Sequence, residues 1–264
     1  MNQKLNIKWY NTIDSTNSQA IREAEIAHDC DVWIADFQTN GRGQRGNKWE
    51  SKKGENLTFT ILFKPEFLHP SKQFFISEIS ALGVCKYLIN KGLNAKIKWP
   101  NDVYVGDKKI CGMLIEHTIS GDKLAVSLSG IGVNLNQTIF DSNAPNPTSM
   151  FIEFLKKDKN CKEFDRRTEL TLLLTEVFTL YSDLQNGYGE EIFKEYKENL
   201  YRLNEFHKYI EIETDVNANV PVEQLTGKEM VAKIIDVLPN GCVLMEKENG
   251  EVRDYAFKEI KYVL

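Results

Sequence analysis

The chain has 264 residues, 42% of them hydrophobic and 27% charged, with a formal net charge of −5 from 33 basic against 38 acidic side chains. That length carries one large domain, or a main domain with a small appendage, around a sizeable core, and the composition is that of a folded rather than a disordered protein. An acidic balance argues against life on nucleic acid or anionic membrane, and no apolar run approaches the length of a membrane span.

In chain order, the opening MNQKLNIKWY has no basic-then-apolar leader pattern, so the expected location is cytoplasmic. From Ser15 to about His28, polar capping residues precede good helix formers with Ala20, Ile21, Ala24 and Ala27 on one face, which predicts a helix. DVWIADF (31–37) reads as a buried strand, residues 38–56 as a long loop rich in Gly, Asn and charge, and LTFTILF (57–63) as another strand. Loops of that length in a compact domain are functional or disordered. Ser71 to Asn90, with Phe75, Ile79, Leu82 and Tyr87 on one side, predicts a second helix. Short strands AKIKW, DVYVG, KKICGMLIE and KLAVSLSGIGVNL follow, with a hairpin turn at Gly106-Asp107.

Residues 143–149 form a loop, and helices are expected from Glu163 to about Asn186 and from Glu190 to about Leu203. Leu170, Leu173, Leu174, Val177 and Leu184 mark the apolar side of the first of these. From about His207 the pattern returns to strands, with turn signals at Thr226-Gly227, Asn240-Gly241 and Asn249-Gly250. The fold class is therefore α+β: a mixed sheet with flanking helices over residues 1–206, and a small C-terminal β module over 207–264, barrel-like in its short strands. Five cysteines (Cys30, Cys85, Cys111, Cys161, Cys242) and four histidines (His28, His69, His117, His207) are dispersed. They read as reduced packing residues and not as a disulfide frame or metal site.

Four segments invite a chemical reading. Gly41, Gly43 and Gly46 match G-x-G-x-x-G, but loop and strand follow where a dinucleotide fold needs a helix, so that reading fails. What remains is GRGQRGNKW, with two arginines able to fork onto phosphate or carboxylate and a tryptophan that a merely solvated loop rarely needs. In KWPNDVYVGDKKICG, Pro100 breaks the strand and leaves Asn101 and Asp102 at a turn. Strand alternation sends Lys108 and Lys109 to opposite faces, so that one of them can point inward beside Asp102; an ordinary surface Lys–Asp pair is the equal alternative. SGIGVNL (129–135) carries glycines that mark either close approach by another group or a bulge, and in DSTN (14–17) the helix-cap reading leads.

In that order, DSTN, the GRGQRGNKW loop after Phe37-Gln38, KWPND, KKICG and GIGVN closely resemble the biotin protein ligase family, from about Asp14 to the C-terminus. The resemblance implies a class II synthetase-like catalytic domain followed by an SH3-like barrel. It implies ATP-dependent formation of biotinyl-5'-AMP and transfer of biotin to a lysine of a biotin carboxyl carrier domain. ATP with Mg²⁺ and biotin would be bound as substrates and ion, with no tightly bound cofactor and no metal ligand directly assigned. Ser15, Thr16, Asn17 and Gln38 would hold the ureido head, and Arg42, Gly43 and Gln44 would close over biotin and its adenylate, with Lys109 and Gly112 also on the biotin side. Trp49 would stack on adenine, Lys98, Asn101 and Asp102 would border phosphate and ribose, and Asn134 would lie near the nucleotide. Lys109, Arg42 and Asp102 are the implied catalytic residues. Gln44 stands where the family often has Arg, a departure that bears on retention of the adenylate. Bifunctional members carry an N-terminal DNA-binding domain; DSTN begins at Asp14, so a ligase without repressor activity is expected, with no nucleic-acid or membrane partner, as a monomer or homodimer. A lipoate- or octanoate-type ligase of the same superfamily and a non-enzymatic interaction protein are the rival readings.

Overall fold

The computed structural model describes residues 5–43, 48–141, 146–212, 226–257 and 259–264. A seven-stranded mixed sheet has the order β1-β2-β3-β7-β6-β5-β4. Its strands are β1 (Ile7–Tyr10), β2 (Asp31–Ala35), β3 (Leu57–Phe63), β4 (Ala95–Lys98), β5 (Asp102–Val105), β6 (Lys108–Ser120) and β7 (Lys123–Val133). Only the β1–β2 pair is parallel; the rest are antiparallel.

Helices α2 (Phe74–Asn90), α4 (Arg166–Gln185) and α5 (Gly189–Glu198) cover one face, and α1 (Thr16–Arg22) lies on the other. The alternation of β3 shows how the two faces separate. Leu57, Phe59, Ile61 and Phe63 enter the main core with α2 and α4, while Thr58 and Thr60 turn to the opposite side. On that second side Trp33, Leu62 and Leu128 pack against Ala20 and Ala27. Helix α2 is buried nearly all round because sheet and helices enclose it, and Gly83 lets Val177 of α4 approach within what would be 2.6 Å of a Cβ. The predicted apolar side of α4 is buried as expected.

Several boundaries differ from expectation. The first helix ends at Arg22 rather than near His28; Ile21 and Ile26 are exposed, so no continuous apolar face sustains it. The helix expected to reach Leu203 stops at Glu198, because Asn199 O and Tyr201 N are taken by the backbone of Ile97 at the edge of the sheet. A short helix α3 (Met150–Leu155), capped by Ser149, stands where no element was expected.

A second sheet, antiparallel throughout, has the order β11-β10-β9-β8-β12. It is built from β8 (His207–Ile212), β9 (Gly227–Val237), β10 (Val243–Lys247), β11 (Val252–Tyr255) and β12 (Ile260–Tyr262). The Gly241 and Gly250 turns form with positive φ as their Asn-Gly signals predict. Thr226-Gly227 does not act as a turn: Gly227 opens β9, and a Cβ there would stand 2.1 Å from Glu211 O. The two sheets share one apolar core, which runs from Phe59 and Leu82 through Trp99 to Tyr209, Ile234 and Met245. The five cysteines are all free. Among the described residues no helix is long and apolar enough to cross a membrane.

Candidate active site

The floor of the site is a consequence of strand register. Across β3, β7 and β6, Thr60, Gly130 and Leu114 lie side by side in one row, and Thr58, Gly132 and Gly112 in the next. Residues directly opposite in a ladder share a face, so these two rows, small in every side chain but Leu114, form one shallow strip facing away from the main core. Above it opens a cavity of about 830 Å³. Its wall includes DSTN, the glycine-rich loop and the KWPND turn, and on the far side Phe257, Ile260 and Tyr262 of the second sheet.

Each glycine of the strip admits a specific neighbour. A Cβ on Gly130 would stand 2.2 Å from Asn17 Oδ1, and one on Gly132 2.3 Å from the Trp49 ring. Gly112 carries both the Trp49 ring and the Lys109 stem, at 3.0 and 2.9 Å from its would-be Cβ. The glycines of SGIGV and ICG therefore serve close approach and not a bulge.

At the Gly130 end the polar side chains satisfy one another. Ser15 caps α1 through Ser18 N, and Gln38 Oε1 accepts from Thr16 N at 2.7 Å and Thr16 Oγ1 at 3.0 Å. Thr60 Oγ1 donates to Asn17 Oδ1 at 2.5 Å, and Asn17 Nδ2 donates to Glu116 Oε2 at 2.7 Å. The same Glu116 receives Arg42 through both terminal nitrogens, at 3.2 and 3.0 Å. Arg42 thus stands with Asn17 and not with Lys109. Glu116 and Lys109 are seven residues apart on β6, on the order of 20 Å at the rise of an extended strand.

At the other end, Lys109 Nζ bonds Asp102 Oδ2 at 2.7 Å while Lys108 faces solvent, so the inward lysine of the pair is Lys109. Cys111 lies under this pair with its thiol pushed well up by burial and then by Asp102, which keeps it protonated and out of nucleophilic chemistry. Asn101 is buried and spends its amide on Met113 O at 3.1 Å, pinning the KWPND turn to β6. Lys98 Nζ lies 4.4 Å from the Tyr262 ring centroid, and Trp99 Nε1 donates to Gly241 O at 3.0 Å, so the turn is also fastened to the second sheet. Two buried polar atoms in the cavity wall, Trp49 Nε1 and Asn134 Oδ1, find no hydrogen-bond partner among the described residues. Asn134 Nδ2 is spent on Thr148 O at 2.9 Å.

Gly43 also lines the cavity. Gln44, with Arg45, Gly46 and Asn47, lies outside the described residues. Thr58, Thr60, Glu116 and Tyr262 belong to the site and were not singled out in the sequence. The apolar–Thr–apolar–Thr alternation of LTFTILF was the available signal for the two threonines. Among the described residues no group of three or more His, Cys, Asp or Glu could hold a metal ion.

Residues 8–134 match the model of the biotin/lipoate A/B protein ligase family. The bifunctional ligase/repressor BirA of Escherichia coli (strain K12) is 33% identical over 124 residues, 47% of this chain and 38% of that protein. The chloroplastic biotin–protein ligase 1 of Arabidopsis thaliana is 30% identical over 201 residues, 74% of this chain and 51% of that protein. The matched segments thus span about half, or less, of these curated relatives. Among solved structures, the biotin protein ligase from Aquifex aeolicus in complex with biotin and ATP superposes with a TM-score of 0.74 at 24% identity, covering 97% of each chain. At that identity the likeness shows the fold.

Proposed function

The chain belongs to the biotin/lipoate A/B protein ligase family, and from that premise we propose that it is a biotin protein ligase, which uses ATP to join biotin to a lysine of a biotin carboxyl carrier domain. One observation carries the reading: along the strip Asn17 stands over Gly130, Trp49 over Gly132 and Asn134 beyond them, with Ser15, Thr16 and Gln38 in the cavity wall and the Lys109–Asp102 pair beside the middle position. Four strand residues span about 13 Å, so the Asn17 and Asn134 positions are two separate subsites and not one. On this reading Ser15, Thr16, Asn17 and Gln38 receive the ureido head, and Arg42 and Gly43 cover it. Trp49 and Asn134 receive adenine, the orphan carbonyl of Asn134 suiting the exocyclic amine. The catalytic domain ends near residue 206, and the second sheet is an SH3-like barrel.

In the first step a carboxylate oxygen of biotin attacks the α-phosphorus of ATP, and the bond to the bridging oxygen breaks to release pyrophosphate. Lys109, held by Asp102, meets the charge that accumulates where carboxylate and phosphate join. In the second step the neutral amine of the carrier lysine attacks the acyl carbon, the carbon–oxygen bond to AMP breaks, and Asp102 accepts the amine proton. Lysine amines ordinarily titrate near 10.4, so a poised acceptor matters. Magnesium would accompany ATP as counter-ion to its phosphates; among the described residues no group of three or more His, Cys, Asp or Glu could hold it.

ATP–pyrophosphate exchange with biotin, with lipoate and with neither tests the reading. Exchange with biotin alone, followed by labelling of a carrier domain, is expected. Exchange with lipoate in place of biotin, or with neither acid, overturns it.

A further inference from the structure

Behind the Trp49 ring, two loop segments meet on one side chain. Gln137, just beyond Asn134, is fully buried. Its Oε1 accepts from Lys52 N at 3.0 Å and from Asn56 Nδ2 at 2.6 Å. Its Nε2 donates to Ile139 O at 2.9 Å and to Glu50 Oε1 at 3.2 Å, and that same Glu50 oxygen receives Asp141 N at 2.8 Å. A carboxamide has two donors and two acceptor sites, and Gln137 uses all four between the glycine-rich loop and the segment after β7. Glu50 directly follows Trp49, whose own N–H is held by Gly41 O at 3.2 Å. The tryptophan backbone is thereby fixed on both sides, which is what keeps its ring over Gly132.

We propose that Gln137 is the positioning residue of the nucleotide end: through Glu50 it sets the Trp49 ring, and so governs affinity for ATP without touching it. The inference rests on the assignment of Trp49 to the nucleotide. Among the described residues Gln137 has no hydrogen bond to the Thr16–Asn17–Glu116 network, so the acyl end is independent of it. The direction of its bonds is fixed: Nε2 donates both to a backbone carbonyl and to a carboxylate oxygen that already receives Asp141 N, so an acid at position 137 sets oxygen against oxygen on both contacts.

The test uses the full chain and two variants: Gln137→Met, which keeps volume and loses the bonds, and Gln137→Glu, which keeps the acceptors and sets two carboxylates together. In biotin-dependent pyrophosphate exchange, the KM for ATP is expected to rise about tenfold in both, with the KM for biotin and kcat within about twofold of wild type. Amide hydrogen exchange in the ligand-free protein is expected to quicken at Lys52 and Asp141 in Gln137→Met and to stay unchanged in β3. Parallel rises of both KM values, a fall in kcat alone, or an unchanged KM for ATP overturns the proposal. Absence of biotin-dependent exchange in the wild type would instead overturn the functional reading; the amide measurement then still decides whether Gln137 fixes the Trp49 loop.

Discussion

Where Asn17 crosses Gly130, the polar side chains of the cavity bond one another, from Gln38 through Thr16 and Thr60 to Asn17, Glu116 and Arg42. Two and four residues further along β7, Trp49 Nε1 and Asn134 Oδ1 are buried without a partner among the described residues. The first end holds its shape by itself; the second carries unmet hydrogen-bonding capacity that costs roughly 1–3 kcal/mol per group until a ligand fills it. A site of this kind recognises one substrate by preorganisation and recovers the cost at the other end on binding the second. The Lys109–Asp102 pair lies beside the Trp49 position, where on the proposed reading the two substrates meet.

Removing that junction has the largest expected effect. Lys109→Ala leaves the Gly112 strip and the strand register untouched but takes away the cation beside the reacting atoms, so pyrophosphate exchange should fall at least ~100-fold with the fold intact by circular dichroism. Exchange within about threefold of wild type would separate Lys109 from the chemistry.

The two ends can then be broken one at a time. Gly130→Ala drives a methyl into the Asn17 amide, and Gly132→Ala drives one into the Trp49 ring. Overpacking of this kind costs ~1–3 kcal/mol, a change of ~5- to 150-fold in affinity. The first should fall on the KM for biotin and the second on the KM for ATP. If both variants raise both constants equally, the division of the cavity is wrong.

How far the site could be read in advance follows the same division. DSTN, GRG, KWPND and GIGVN are local strings, and each lands on the cavity wall. Hairpin alternation left Lys108 or Lys109 to point inward, and the bond to Asp102 selects Lys109. Glu116 and Gln137 belong to no such string, because their roles arise from contacts made across 99 and 87 positions of sequence. Arg42 lines the cavity as its loop suggested, but its partner was not legible: a guanidinium goes to the nearest carboxylate in space, and strand β6 supplies it from Glu116. In the fold, β3 was legible to the residue because seven buried positions have no competitor. The three-residue β12 was not, since a strand so short carries no period.

A buried polar atom outside the cavity supplies the control for the comparison. Glu78 on α2 is 2% exposed, its Oε2 has no partner among the described residues, and burial pushes its carboxyl up to about 8 against the weaker pull of Lys197. Because its folded pKa is raised, its contribution to stability is complete below about 4.5 and is lost as pH rises through about 8. His117 works the other way: burial lowers its pKa, so stability is lost as pH falls through the ordinary histidine range. Glu78→Gln removes only the first effect. The melting temperature of the variant relative to wild type should therefore climb between pH 5 and pH 8, and neither substrate should alter that difference. A difference that is flat with pH would mean that Glu78 ionises freely in the folded protein.

The smallest effect is expected at the outer edge of the preorganised end. Arg42 and Glu116 pair bidentately, but their side chains are 41% and 37% exposed, so solvent screens them and the pair is worth ~0.2–1 kcal/mol. Glu116→Gln keeps an oxygen for Asn17 Nδ2 and removes the charge that holds Arg42. The KM for biotin should therefore rise no more than about fivefold at low ionic strength. In ~1 M salt, where the screening length falls to about 3 Å, wild type and variant should converge, because wild type then loses what the variant lacks. The KM for ATP should not move, since the Trp49 backbone is held by Gly41 O and through Glu50 rather than by the Arg42 side chain. A rise in the KM for biotin that salt does not diminish would put the effect in the geometry of Asn17 rather than in the ion pair. A rise in the KM for ATP would show that the two ends are coupled after all, with the glycine-rich loop, anchored by Arg42 at one end and Glu50 at the other, as the link between them.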